Sequence, residues 1–215
     1  MKRERSALIW GVILVGLGIL FLLQNFGLIG TLADLLWSLV FAAGGLAFLY
    51  VFVTRPEHWW AAIPGMALLG IGGLIGLNAI WPALGDYVGG SMFLGMLGLS
   101  FVLVYLRRRE HWWAVIPAGT LLTLAGVAFV EALPLGIDGG GIFFLGVGLT
   151  FLLLSALPTP QGRMRWALIP AGVLVVMGML LMAQSMLLFR YLWPLAFILG
   201  GLYLVLRNAR RTPQE

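Results

Sequence analysis

Glu57-His58 and Glu110-His111 stand 53 residues apart in matching surroundings, and Arg163-Met164 holds the corresponding place in a third segment. Imidazole nitrogens and carboxylate oxygens bind divalent cations, so the two acid–histidine pairs would supply four donors if their segments met. Two histidines in separate loops read more simply as polar residues at the starts of helices, and no metal or cofactor is expected. A second set recurs at a spacing of 52: Asp34, Asp86 and Asp138, with Arg190 in the fourth place. An Asp just before a helix accepts hydrogen bonds from free N–H groups and complements the positive end of the dipole. Arg190 opposes that dipole, so it is expected to lie against Asp34 or Asp138 in a pair worth about 1 kcal/mol. The chain has no cysteine, no HExxH, no GxSxG, no P-loop and no GxGxxG followed by a suitable acid. Catalysis is therefore not expected.

The elements that must carry these residues are repeats. His58-Trp59-Trp60-Ala61-Ala62-Ile63-Pro64 returns as His111-Trp112-Trp113-Ala114-Val115-Ile116-Pro117, and again as Met164-Arg165-Trp166-Ala167-Leu168-Ile169-Pro170. A fainter copy opens the chain, Arg5-Ser6-Ala7-Leu8-Ile9-Trp10, with Trp where the others carry Pro. Such self-similarity fixes the architecture before any local reading. The repeats run over about 5–53, 57–106, 110–157 and 163–207, within a single membrane domain covering 1–215.

The composition demands a lipid environment. Hydrophobic residues make up 61% of the chain and charged ones only 10%, with mean hydropathy +1.04. Eight apolar runs are legible, at 7–23, 35–53, 59–77, 89–105, 112–130, 140–156, 166–184 and 191–206. At 1.5 Å per residue each makes roughly 25–30 Å of helix, enough for a bilayer core. The predicted fold is all-α: an integral membrane protein of eight transmembrane helices arranged as four tandem hairpins. Twelve of the thirteen Lys and Arg residues fall on one side of this scheme, Arg190 being the exception. Basic loops stay in the cytoplasm, so both termini are expected there and the four hairpins are parallel. The carboxylates Glu4, Asp34, Glu57, Asp86, Glu110, Glu131, Asp138 and Glu215 all lie in tails, loops or helix ends, which leaves no mid-membrane acid to mark an ion pathway.

A pI near 10.2 would suit nucleic acid, but the basic residues sit between spans, where they favour anionic lipid headgroups. Trp59, Trp60, Trp112, Trp113 and Trp166 would anchor the inner interface, because indole rings favour the headgroup level. The glycines within the spans, including the Gly72-xxx-Gly76 pair, suit close packing of helices inside the chain. Pro64, Pro117 and Pro170 either kink their helices or occupy the first turn.

Leu8-Ile9-Trp10-Gly11-Val12-Ile13-Leu14-Val15-Gly16-Leu17-Gly18-Ile19-Leu20-Phe21-Leu22-Leu23-Gln24-Asn25-Phe26-Gly27 resembles the opening hairpin of the LiaI/LiaF-type bacterial membrane region. Leu192-Trp193-Pro194-Leu195-Ala196-Phe197-Ile198-Leu199-Gly200-Gly201-Leu202 resembles its second helix. The resemblance implies a bacterial inner-membrane protein tied to envelope-stress sensing, in which a LiaF-type protein restrains a partner histidine kinase. The chain departs from that pattern in having four hairpins and, after the last, only Arg207 to Glu215 where a LiaF-type protein has a soluble domain. The expected function is a non-enzymatic regulatory or scaffolding module acting on a membrane protein partner. A small transporter or channel, or a lipid-binding protein, is the alternative.

Overall fold

The computed structural model describes residues 11–12, 14–16, 18–19, 21–22, 26, 30–134, 139–158, 162–184, 194–195 and 197–205. The main helices are α1 (Gly30–Thr54), α2 (Ala62–Ile80), α3 (Pro82–Arg107), α4 (Val115–Ala132), α5 (Gly139–Ala156) and α6 (Leu168–Gln184). Helical residues also lie at 11–12, 14–16, 18–19, 21–22, 194–195 and 197–205. Three short 3-10 turns, Trp59–Ala61, Trp112–Ala114 and Arg165–Ala167, lead directly into α2, α4 and α6. With those turns included, the six helices are 18 to 26 residues long and apolar enough to cross a membrane. At 1.5 Å per residue that is roughly 27–39 Å, against a hydrocarbon core of about 30 Å.

Their surfaces are the reverse of a soluble protein's. Only 11% to 33% of each apolar window is buried. Leucines, valines and phenylalanines face outward, while the buried positions are largely small: Ala33, Gly45, Ala61, Ala62, Gly65, Gly72, Ala114, Ala118, Ala167 and Ala171. Lipid tails are as apolar as leucine, so large side chains gain little by turning inward. Small ones let backbones approach.

The chain divides into two compact units, Met1–Ala132 and Leu133–Glu215. In the first, α1 packs on α2, α2 on α3 and α3 on α4. In the second, α5 packs on α6. The α1–α2 seam is close enough to exclude a side chain. A Cβ placed on Gly45 would lie 2.7 Å from the Gly65 carbonyl oxygen, and one on Gly72 would lie 2.8 Å from that of Ser38. The Ser38 hydroxyl donates to the Gly72 carbonyl across this seam at 2.7 Å. Gly76 meets Ser38 too, so the Gly72-xxx-Gly76 pair is used within the chain.

Two sequence expectations change. The helices predicted to start at 35 and 89 start at Gly30 and Pro82 instead. Pro82 presets the helical φ at the first position, and the Trp81 carbonyl accepts from Leu84 N and Gly85 N, each at 3.0 Å. Asp34 and Asp86 are thus the fifth residues of their helices, a turn inside, and do not precede them as caps. Asp138 and Arg190, and with them the expected pairing of Arg190 to an outer carboxylate, lie outside the described residues. The prolines, by contrast, are settled. Pro64, Pro117 and Pro170 are each the third residue of an α-helix, in the first turn, where a missing N–H costs least.

Candidate functional site

The repeated linkers of the first unit fold alike and meet. In each, the first basic residue closes the preceding helix: Arg55 N bonds Val51 O at 2.9 Å, and Arg108 N bonds Val104 O at 3.2 Å. The histidine then turns the chain, with His58 at φ −94° and ψ 47° and His111 at φ −83° and ψ 48°. Its carbonyl accepts from Ala61 N and Ala114 N, at 3.1 and 3.0 Å. In the second unit Met164 does the same, with φ −80°, ψ 72° and a bond from Ala167 N at 3.1 Å. That geometry is backbone-driven, which is why methionine can replace histidine.

Contact between the two linkers is aromatic. The Trp59 ring lies 4.4 Å from the His111 ring and 5.9 Å, edge-on, from Trp113. His58 instead turns to Trp60, 6.1 Å away, and its Nδ1 is 3.4 Å from Glu57 Oε1 without hydrogen-bond geometry. Arg107 adds a third tie. Its guanidinium sits 5.4 Å from the Phe52 ring centre and donates to the Val53 carbonyl at 3.3 Å, one of the free carbonyls at the end of α1. Arg109 folds over Tyr105 at 4.8 Å. Replacing Arg107 with alanine is expected to cost the first unit about 0.5–1 kcal/mol, because the contact is solvent-facing. A denaturation midpoint in detergent that did not move would remove the tie from the account.

Of the proposed inner cluster, then, the structure joins His111 to the Trp59 indole and leaves Glu57 and Glu110 exposed. Arg163 is exposed in the second unit. Among the described residues no group of three or more His, Asp or Glu could hold a metal ion. The two buried polar side chains bond within their own helices: Ser100 donates to Leu97 O at 2.6 Å and Thr150 to Gly146 O at 2.9 Å.

Three of these tryptophans share a kind of partner that sequence reading missed. Trp60, Trp113 and Trp166 each meet a phenylalanine edge-on: Phe48 at 6.2 Å, Phe101 at 6.3 Å and Phe151 at 6.2 Å. Each phenylalanine closes a four-residue motif, Gly45-Leu46-Ala47-Phe48, Gly98-Leu99-Ser100-Phe101 and Gly148-Leu149-Thr150-Phe151. The glycine of each motif seats a side chain of the next helix. Added Cβ atoms would meet Leu69 Cγ at 2.7 Å, Leu122 Cγ at 2.9 Å and Val175 Cγ2 at 2.8 Å. Leu69, Leu122 and Val175 are themselves 53 residues apart. The motif was visible in the sequence, but its third copy comes 50 residues after the second, so a fixed period hides it.

What this end of the first unit presents is Trp59, Trp60, Trp112 and Trp113 with two histidines and several arginines at the mouths of apolar helices. Such a surface suits the headgroup layer, where ring and cation each find a partner. No family model, no curated protein and no solved structure matches the chain.

Proposed function

We propose that this chain is a non-enzymatic multi-pass protein of the bacterial inner membrane that scaffolds or regulates a membrane protein partner. The observation that carries this reading is the packing: glycine-seated helix seams, one of them bridged by the Ser38 hydroxyl, with buried Ser100 and Thr150 bonded within their own helices. A scaffold needs rigid seams of this kind, and a solute path needs polar groups left free for its cargo. In this reading eight spans form four parallel hairpins, with both termini and the basic linkers in the cytoplasm. Support comes from the charge asymmetry and from the first unit, where the linker before α2 meets the linker before α4 and the end of α3 meets the end of α1. The basic inner face then contacts anionic headgroups. Likeness of the first and last hairpins to the LiaI/LiaF type makes an envelope-stress histidine kinase the partner to seek.

Co-purification from native membranes in mild detergent or nanodiscs, with mass spectrometry of what is bound, tests this directly. A reproducible membrane protein partner is the expected result. Recovery of a lipid or solute alone would shift the function to lipid handling or transport. Orientation has its own test, since a chain without cysteine gives no labelling background. Cysteine at position 108 is expected to react with an impermeant thiol reagent only after the cells are opened. Labelling on intact cells would reverse the topology.

A further inference from the structure

Three consecutive arginines stand at the end of α3, and two of them are held by rings rather than by acids. The Arg107 guanidinium is 5.4 Å from the centre of the buried Phe52 ring and gives Nη2 to the Val53 carbonyl. The Arg109 guanidinium lies 4.8 Å over the buried Tyr105 ring. All three arginines are exposed. The acids of the first unit's two linkers leave them uncompensated. Glu57 Oε1 is 3.4 Å from His58 Nδ1, and Glu110 makes no ion pair among the described residues. A guanidinium already fixed on a ring face loses little freedom when an oxyanion arrives, and its planar fork of N–H groups matches a phosphate.

We infer that the end of α3 is a binding site for one anionic phospholipid, its phosphate held by Arg107, Arg108 and Arg109 and an acyl chain laid along Leu99 and Leu106. Those two leucines are seven residues apart, hence on one face of α3, and both are exposed. A ligand that satisfies the arginines therefore continues over hydrocarbon, which suits a lipid better than a soluble phosphate. Charge selects the headgroup. The two linkers set Arg55, Arg107, Arg108 and Arg109 against Glu57 and Glu110, so cations outnumber anions two to one. A zwitterionic headgroup would bring a further cation to that surface, and an anionic one brings none. The site rests on the membrane reading proposed above and narrows its headgroup contact from a basic face to three named residues.

Native mass spectrometry of the purified full chain in detergent, titrated with short-chain phosphatidylglycerol or phosphatidylcholine, tests this. The chain is expected to retain phosphatidylglycerol at concentrations where phosphatidylcholine is lost. The variant R107K/R108K/R109K keeps every charge but removes the forks, and is expected to weaken that retention about tenfold. R108K breaks no contact within the chain, so it tests the site even if the triple variant does not fold, with an expected loss of about threefold. R163K, in the second unit, is expected to change nothing. Equal retention of the two lipids would overturn the site. So would undiminished binding by R108K, which would leave only diffuse charge. Displacement of phosphatidylglycerol by millimolar inorganic phosphate would overturn it as well, and make a soluble phosphate the ligand. The scaffold reading fails separately, if native membranes yield this lipid and no protein partner.

Discussion

Alanine at Gly45 is expected to destabilise the first unit, while alanine at Gly44, one residue earlier, stabilises it. Both positions are mid-helix, where Gly→Ala alone gains about 0.5–1 kcal/mol. At Gly44 the new methyl meets only Leu68 Cδ1, at 3.5 Å, an ordinary contact. At Gly45 it lies 2.7 Å from the Gly65 carbonyl oxygen and 2.9 Å from the Leu69 nitrogen. Those atoms belong to the backbone of α2 and cannot step aside, so the two helices must separate. Overpacking of this kind costs about 1–3 kcal/mol, and more where backbone is struck, which outweighs the gain in helix propensity. Unfolding midpoints in detergent for the two variants check this, and shifts of the same sign would sink it. Gly98 and Gly148 are expected to follow Gly45, since each would strike the backbone nitrogen of its seated partner, at 3.1 Å for Leu122 and 3.0 Å for Val175.

The second large effect is expected at Leu154, which is fully buried in the second unit beside exposed Leu153. In a water-soluble core Leu→Ala costs about 2–5 kcal/mol, part of it the transfer of the leucine out of water. A membrane helix lacks most of that transfer, because lipid is already apolar. The void's lost contacts remain, so Leu154→Ala is expected to cost about 1–2 kcal/mol, below that range. Leu153→Ala faces outward and is expected to stay within about 0.5 kcal/mol of the parent. Matched losses at both sites would mean that burial does not separate these neighbours.

Much of the architecture was legible. Apolar runs of membrane length and the His-Trp-Trp and Trp-Ala-x-Ile-Pro marks located the six described spans, because lipid removes every alternative to a helix. Helix starts were legible less well. Asp34 and Asp86 looked like caps, yet Pro82 and the Trp81 carbonyl begin α3 a turn earlier. A proline and a main-chain acceptor leave a fainter trace in composition than an aspartate does.

The candidate site divides in the same way. Sequence identified Glu57, His58, Glu110, His111 and the tryptophans as equivalent positions, and offered a metal site as one outcome. Three-dimensional packing chose another: Trp59 lies against His111 and Trp113, with both acids outward. Repetition alone specifies which residues are alike, never which copies touch.

The sequence by itself determined that this chain is apolar and helical, because hydropathy and span length are properties of the chain read along its length. Tertiary structure alone decided which glycines are seats. Gly44 and Gly45 are adjacent and identical, and only the approach of the next helix, within 3 Å of one and not the other, tells them apart.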